Sequence, residues 1–154
     1  ALEPAAYPVG LHKEDYALFL GRMCPEKGVV TAIRTARAAG VPLVIAAKSD
    51  LLGRARCLLF PIDWEEPFGM VMIEAMACGT PVVALRGGSV PEVVADGVTG
   101  FVCEDPAGLA GALRRIGDID PAACRQRVVD HFGTDNLAQG YEDAYRTALA
   151  RTAW

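Results

Sequence analysis

A chain of 154 residues, 52% hydrophobic and 22% charged, has the composition of a folded domain with a sizeable core rather than a disordered segment. Its formal charge of −4 leaves no basic excess to neutralise phosphates, which excludes a general nucleic-acid binder. Five widely spaced cysteines (Cys24, Cys57, Cys78, Cys103, Cys124), with no C-x-x-C or Cys/His pairing, predict reduced thiols in a cytoplasmic protein rather than a disulfide framework or a zinc site.

His12 and His131 are the only histidines, so a His-based metal site is not expected. No apolar run approaches about 18 residues, and no basic segment precedes an apolar one at the start. Neither a transmembrane helix nor a signal peptide is predicted, and peripheral contact with a membrane is compatible with this reading.

In chain order, YALFL (16–20) is an apolar run ending at Gly21 and reads as a buried strand. PEKGVVTAIRTARAAG (25–40) reads as a helix, with Pro25 near its start and Gly40 at its stop. PLVIA (42–46) is a second strand, SDLLGRAR (49–56) a short helix and CLLF (57–60) a third strand. FGMVMIEAMA (68–77) is a helix closed by Gly79, and PVVAL (81–85) a fourth strand. Ser89 and Glu92 have capping-box spacing, with Pro91 in the first turn, and predict another helix start. Strands alternating with helices predict an α/β domain, a doubly wound parallel sheet flanked by helices. The strands are continuously apolar, as expected of a sheet covered on both faces.

After GFVC (100–103) the pattern is purely helical. Asp105-Pro106 and Asp120-Pro121 read as N-cap plus first-turn pairs. A last helix, roughly 135–152, carries Tyr141, Tyr145 and Leu149 at four-residue spacing, expected to pack. Asp118-Ile119-Asp120 has the form of a metal-binding D-x-D but lies between two helices, with Asp120 explained as a cap. No metal site is expected there.

Ligands of an open parallel sheet bind at the carboxyl ends of its strands. Unusual residues follow three of them: Arg22 and Lys27 after the first, PIDWEEPFG after the third, and RGG (86–88) after the fourth. A helix opening at Phe68 presents unpaired amides from Phe68, Gly69, Met70 and Val71, and Gly69 adds no Cβ to keep a ligand away. With two cations nearby this is a suitable diphosphate site. Composition alone favours the blander reading, that Arg22 and Lys27 are exposed loop charges.

Glu74 is the only polar residue of its helix, and a buried carboxylate is costly without a partner. It bonds either a protein group or ligand hydroxyls. If one helix spans Glu66 and Glu74, eight residues place them roughly 12 Å apart. That exceeds the about 5–9.5 Å between glycosidase carboxylates, so they are not a hydrolytic acid–base pair.

The segment 66-EPFGMVMIE-74, followed by AMACGTPVV and GGSVPEVV, resembles the retaining glycosyltransferases of GT-B fold, group 1 (family 4). LFLGRMCPEKG resembles the first strand and phosphate loop of their C-terminal, nucleotide-sugar-binding domain. DGVTGFVCEDPAGLAGAL and the closing helices also fit, so the likeness covers about residues 14 to 150.

The resemblance implies a Rossmann-like C-terminal half of a GT-B fold, a single domain over 1–154, with a helical tail. It implies a nucleotide-diphospho-sugar donor, UDP- or GDP-linked, and no further cofactor. Arg22 and Lys27 would contact the diphosphate, Glu74 the ribose hydroxyls and Glu66 the transferred sugar. The backbone of Phe68, Gly69, Met70 and Val71 would meet sugar and phosphates. Catalysis would rest on Glu66, Arg22 and Lys27 without a metal. A sugar, lipid or small-molecule acceptor would be bound mainly by an N-terminal domain that these residues do not include.

Members of that family normally carry a further helix, strand and loop where Lys48 meets Ser49, so a segment is expected to be missing between positions 48 and 49, the alternative being a genuine deletion that removes a strand from the sheet. The alternative function is a non-catalytic Rossmann-like module that binds nucleotide or sugar.

Overall fold

The computed structural model describes residues 2–10, 12–21, 25–46 and 49–152. Five short strands form one sheet: β1 (Ala17–Leu20), β2 (Leu43–Ala46), β3 (Cys57–Phe60), β4 (Val82–Leu85) and β5 (Gly100–Cys103). All neighbours are parallel, in the order β2-β1-β3-β4-β5. The expected doubly wound α/β fold is therefore present, with its switch point between β1 and β3. Ala17 faces Leu43 on one side and Cys57 on the other, which fixes the register across that point.

Helices cover both faces. α1 (Val29–Ala39) and α4 (Pro106–Arg115) pack together on one, while α2 (Met70–Ala77) and α5 (Pro121–His131) pack on the other beside the 3-10 turn Ser49–Arg54. With both faces covered, every residue of β3 and β4 is buried, as their uninterrupted apolar sequences require. Gly100 opens β5 because a Cβ there would lie 1.9 Å from the Val82 carbonyl oxygen.

The segment before β1 is tied to the α2/α5 face. Arg125 on α5 donates to the carbonyls of Pro4, Tyr7 and Ala77, and Lys13 Nζ to Gly53 O at 2.9 Å and Thr80 Oγ1 at 2.8 Å.

The sequence predictions need four corrections. The helix read over 25–40 is interrupted: Pro25–Lys27 is a 3-10 turn and Gly28, left-handed at φ 73°, resets the chain before α1. The helix read from Phe68 begins at Met70, capped by left-handed Gly69 at φ 69°. It ends as predicted, on a Schellman arrangement in which Gly79 N–H bonds Met76 O and Thr80 N–H bonds Ala75 O.

The capping box at Ser89 does not form. The single turn α3 (Val90–Val93) follows Ser89, whose buried Oγ has no hydrogen-bond partner among the described residues. The caps read at Asp105 and Asp120 do form, accepting from Gly108 N and Ala122 N at 3.0 and 2.9 Å.

Finally, α6 (Thr134–Thr152) is exposed, with Tyr141 and Tyr145 stacked on each other at 6.4 Å rather than packed on the core. No helix among the described residues is long and apolar enough to cross a membrane.

Candidate functional site

A cavity of about 380 Å³ opens at the carboxyl ends of β1 and β3. Phe19, Leu20 and Gly21 supply one wall, Leu59, Phe60 and Ile62 another, and the first turn of α2 the floor. This is the crevice the switch point creates, because the chain leaves β1 toward one face of the sheet and β3 toward the other.

Among the described residues three charged side chains line it. Lys27 reaches it from the 3-10 turn, which sits so tightly on the segment after β3 that a Cβ on Gly28 would lie 2.0 Å from Pro61 O. Lys27 Nζ meets Glu66 Oε2 at 2.6 Å, both side chains only 20% and 16% exposed. The Trp64 ring lies 5.0 Å from the same ammonium. Two loops separated by 39 residues are thus joined at the cavity by one half-buried ion pair.

Glu74 is the third. It is half-buried on the cavity side of α2, with no hydrogen bond or ion pair among the described residues. Burial alone pushes its carboxyl above the ordinary value of 4.5. Among the described residues no side chain or backbone amide donates to this carboxylate, which faces the cavity.

Glu66 is held by its backbone. Its N–H bonds Trp64 O, and its own carbonyl accepts from Ser89 N at 2.9 Å. Gly88 N–H donates to Glu65 Oε2 at 2.5 Å, and a Cβ on Gly88 would lie 2.3 Å from Glu66 O. The turn after β4 therefore clamps the loop that carries Glu66. The sequence signalled this turn as RGG but did not show what it grips.

Of the predicted site residues, Lys27, Glu66, Gly69, Met70, Val71 and Glu74 share this cavity. Phe68 does not line it; its ring meets Phe132 edge-on at 6.4 Å. Arg22 lies outside the described residues. Because α2 starts at Met70, the rise of one continuous helix does not set the Glu66–Glu74 separation. Trp64 and Gly88, flagged only within PIDWEEPFG and RGG, and Ser89, read as a cap, are neighbours to which sequence reading gave no individual role in the site. No cluster of three or more potential metal ligands occurs among the described residues, and Asp118 of the D-x-D is paired with Arg115 at 3.6 Å.

The profile of the family described as glycosyl transferases group 1 matches residues 41–118, half of the chain. The chain belongs to that family. Among curated relatives, D-inositol 3-phosphate glycosyltransferase of Streptomyces avermitilis is 41% identical over 104 residues, 62% of this chain and 22% of that protein. N-acetyl-alpha-D-glucosaminyl L-malate synthase of Bacillus anthracis is 33% identical over 147 residues, 90% of this chain and 32% of that protein.

The crystal structure of AviGT4, a glycosyltransferase involved in avilamycin A biosynthesis, superposes with a TM-score of 0.81 at 27% identity, covering 97% of this chain and 57% of that one. These group 1 relatives and the superposition place the five-stranded sheet in a GT-B-type glycosyltransferase fold. This group 1 chain spans between a fifth and a third of the length of the two curated relatives.

Proposed function

We propose that residues 1–154 form one nucleotide-sugar-binding domain, the C-terminal donor-binding half of a retaining family 4 glycosyltransferase. Such an enzyme transfers a sugar from a UDP- or GDP-sugar to an acceptor held mainly by another domain. The observation that carries this reading is Glu74, an unpartnered half-buried carboxylate in the cavity that also holds the Lys27–Glu66 pair. Hydroxyl groups of a ribose are the neutral donors that suit such a carboxylate.

In this reading the diphosphate lies at the first-turn amides of Met70 and Val71, which have no acceptor within the helix. Lys27, together with Arg22, adds positive charge, so that ligand phosphate takes over or shares the ammonium that Glu66 holds. Breaking the anomeric C–O bond leaves negative charge on the departing diphosphate, and these groups stabilise it electrostatically without a metal ion. Glu66, freed from Lys27, accepts hydroxyls of the transferred sugar. Retention would follow from front-face attack, with no protein nucleophile. A segment inserted between positions 48 and 49 would extend the sheet beyond β2, now an edge strand with Ile45 39% exposed.

Isothermal titration of the chain with UDP, GDP and ADP and their sugar derivatives tests the reading. Binding of at least one, weakened by Glu74→Ala, is expected, with no turnover by the chain alone. If none binds, or Glu74→Ala changes nothing, the donor role fails. In the full-length enzyme, NMR of the product should show the donor's anomeric configuration; inversion overturns the mechanism. A non-catalytic module would bind nucleotide yet transfer no sugar in that same assay.

A further inference from the structure

A second cavity, about 420 Å³, lies beside the first, at the carboxyl end of β4 and the start of α4. Ile62 lines both cavities, and the segment Ile62–Glu66 forms the wall between them. Its polar lining comprises Thr31, Asp63, Trp64, Glu65, Arg86 and Glu104. Nothing in the donor reading uses this space.

The charged side chains are exposed and only partly paired with one another. Arg86 Nε donates to Glu104 Oε1 at 2.6 Å, and Gly88 N–H to Glu65 Oε2. Among the described residues this leaves one oxygen each on Glu65 and Glu104, both terminal nitrogens of Arg86 and the whole Asp63 carboxylate without a protein partner. The set holds acceptors and donors side by side, and Trp64, 45% exposed, adds an indole.

Vicinal hydroxyls, each a donor and an acceptor, satisfy carboxylate and guanidinium together, while the C–H face of a pyranose or cyclitol suits an indole. Three carboxylates against one guanidinium repel a phosphate or a carboxylate ligand. A more apolar hollow under α6, lined by Phe68, His131, Asn136 and Tyr141, has no carboxylate or guanidinium among its described lining residues.

We propose that this cavity is a subsite for a neutral polyhydroxylated acceptor, a sugar or cyclitol bearing no phosphate, held beside the donor across the Trp64–Glu66 wall. Its assignment as acceptor rests on the donor-binding reading of the first cavity. Acceptor recognition would then belong partly to this domain rather than wholly to another.

The test uses the 154-residue chain and the Trp64 indole N–H signal in ¹⁵N-resolved NMR, distinguished from Trp154 by Trp64→Phe. Methyl α-D-glucopyranoside, myo-inositol and glucose 6-phosphate are titrated separately. Expected is a saturable shift with at least one neutral probe, about tenfold weaker binding of glucose 6-phosphate, and loss of the saturable response, followed on ligand signals, in Arg86→Ala. No saturable shift with either neutral probe, or glucose 6-phosphate binding as tightly, overturns the proposal. UDP, GDP and ADP are titrated in parallel. If they fail to bind while the neutral probe shifts Trp64, the donor reading falls and the sugar subsite stands.

Discussion

Lys27 and Glu66 meet at 2.6 Å across the cavity mouth, joining the turn after β1 to the loop after β3. Each is the other's only ion-pair partner among the described residues, so the cation that suits a diphosphate is already engaged. In the proposed donor reading, ligand binding at this site is an exchange reaction. Lys27→Ala should weaken a nucleoside diphosphate by about 10- to 100-fold, the loss of a charge-assisted hydrogen bond. It should alter nucleoside binding little, a contrast that isothermal titration of the two ligand classes would resolve.

In the donor reading, Glu74 sets binding against stability. Its folded-state pKa is raised, so the folded protein takes up this proton before the unfolded chain does as pH falls. The destabilisation is complete above the folded pKa and disappears below the ordinary value of 4.5. Glu74→Gln should accordingly raise the thermal midpoint at pH 7, with the gain vanishing below pH 4.5. The same variant should bind nucleotide more weakly by about tenfold. Calorimetric scans across pH, paired with titration at pH 7, check both halves.

Ser89 distinguishes a cap from an unmet hydroxyl. A working capping box would make Ser89→Ala destabilising by about 1 kcal/mol. Here the buried Oγ has no partner, and removing it leaves the backbone bond from Ser89 N to Glu66 O intact. Ser89→Ala should be neutral or slightly stabilising in urea unfolding. A loss of about 1 kcal/mol would mean that the hydroxyl does cap α3.

The thiols differ in environment. Burial pushes Cys57 and Cys124 up to about 12, and both are inaccessible. Cys103 is only partly buried, although burial and nearby carboxylates also raise it. Native protein treated with a thiol reagent at pH 8 should leave Cys57 and Cys124 unmodified and label Cys103 slowly. Mass spectrometry of the digested product locates the label, and denaturant should make all of them reactive.

Strands β1 to β4 were legible in the sequence because each is a short apolar run bounded by Gly, Pro or a polar turn, a pattern that burial on both faces enforces in β3 and β4. The C-terminal end of α2 was equally legible, since a left-handed Gly79 has one common use there. Its start was not: Gly69 is left-handed because the chain must turn out of the Glu66 loop, a tertiary demand invisible in EPFG. Glu74 stood out through local chemistry alone. The Lys27–Glu66 pair and the grip of Gly88 and Ser89 on Glu66 join residues far apart in sequence, and no spacing rule reports them. The spacing of Tyr141 and Tyr145 correctly marked a helical stripe, but a stripe carries no information about whether anything covers it.

Left-handed glycines start two helices at the first cavity's edge, Gly28 before α1 and Gly69 before α2. A side chain at Gly28 would strike backbone at Pro61, and at either position it would strain the turn itself. The frame of the site and its chemistry are thus encoded separately, one in residues without side chains and the other in three charged ones. Descendants of this sequence could lose Glu74, Glu66 and Lys27 singly and still fold around an empty crevice of the same shape. Preserved glycines in such a lineage would testify to architecture, and only the carboxylates and the lysine would testify to the proposed donor binding.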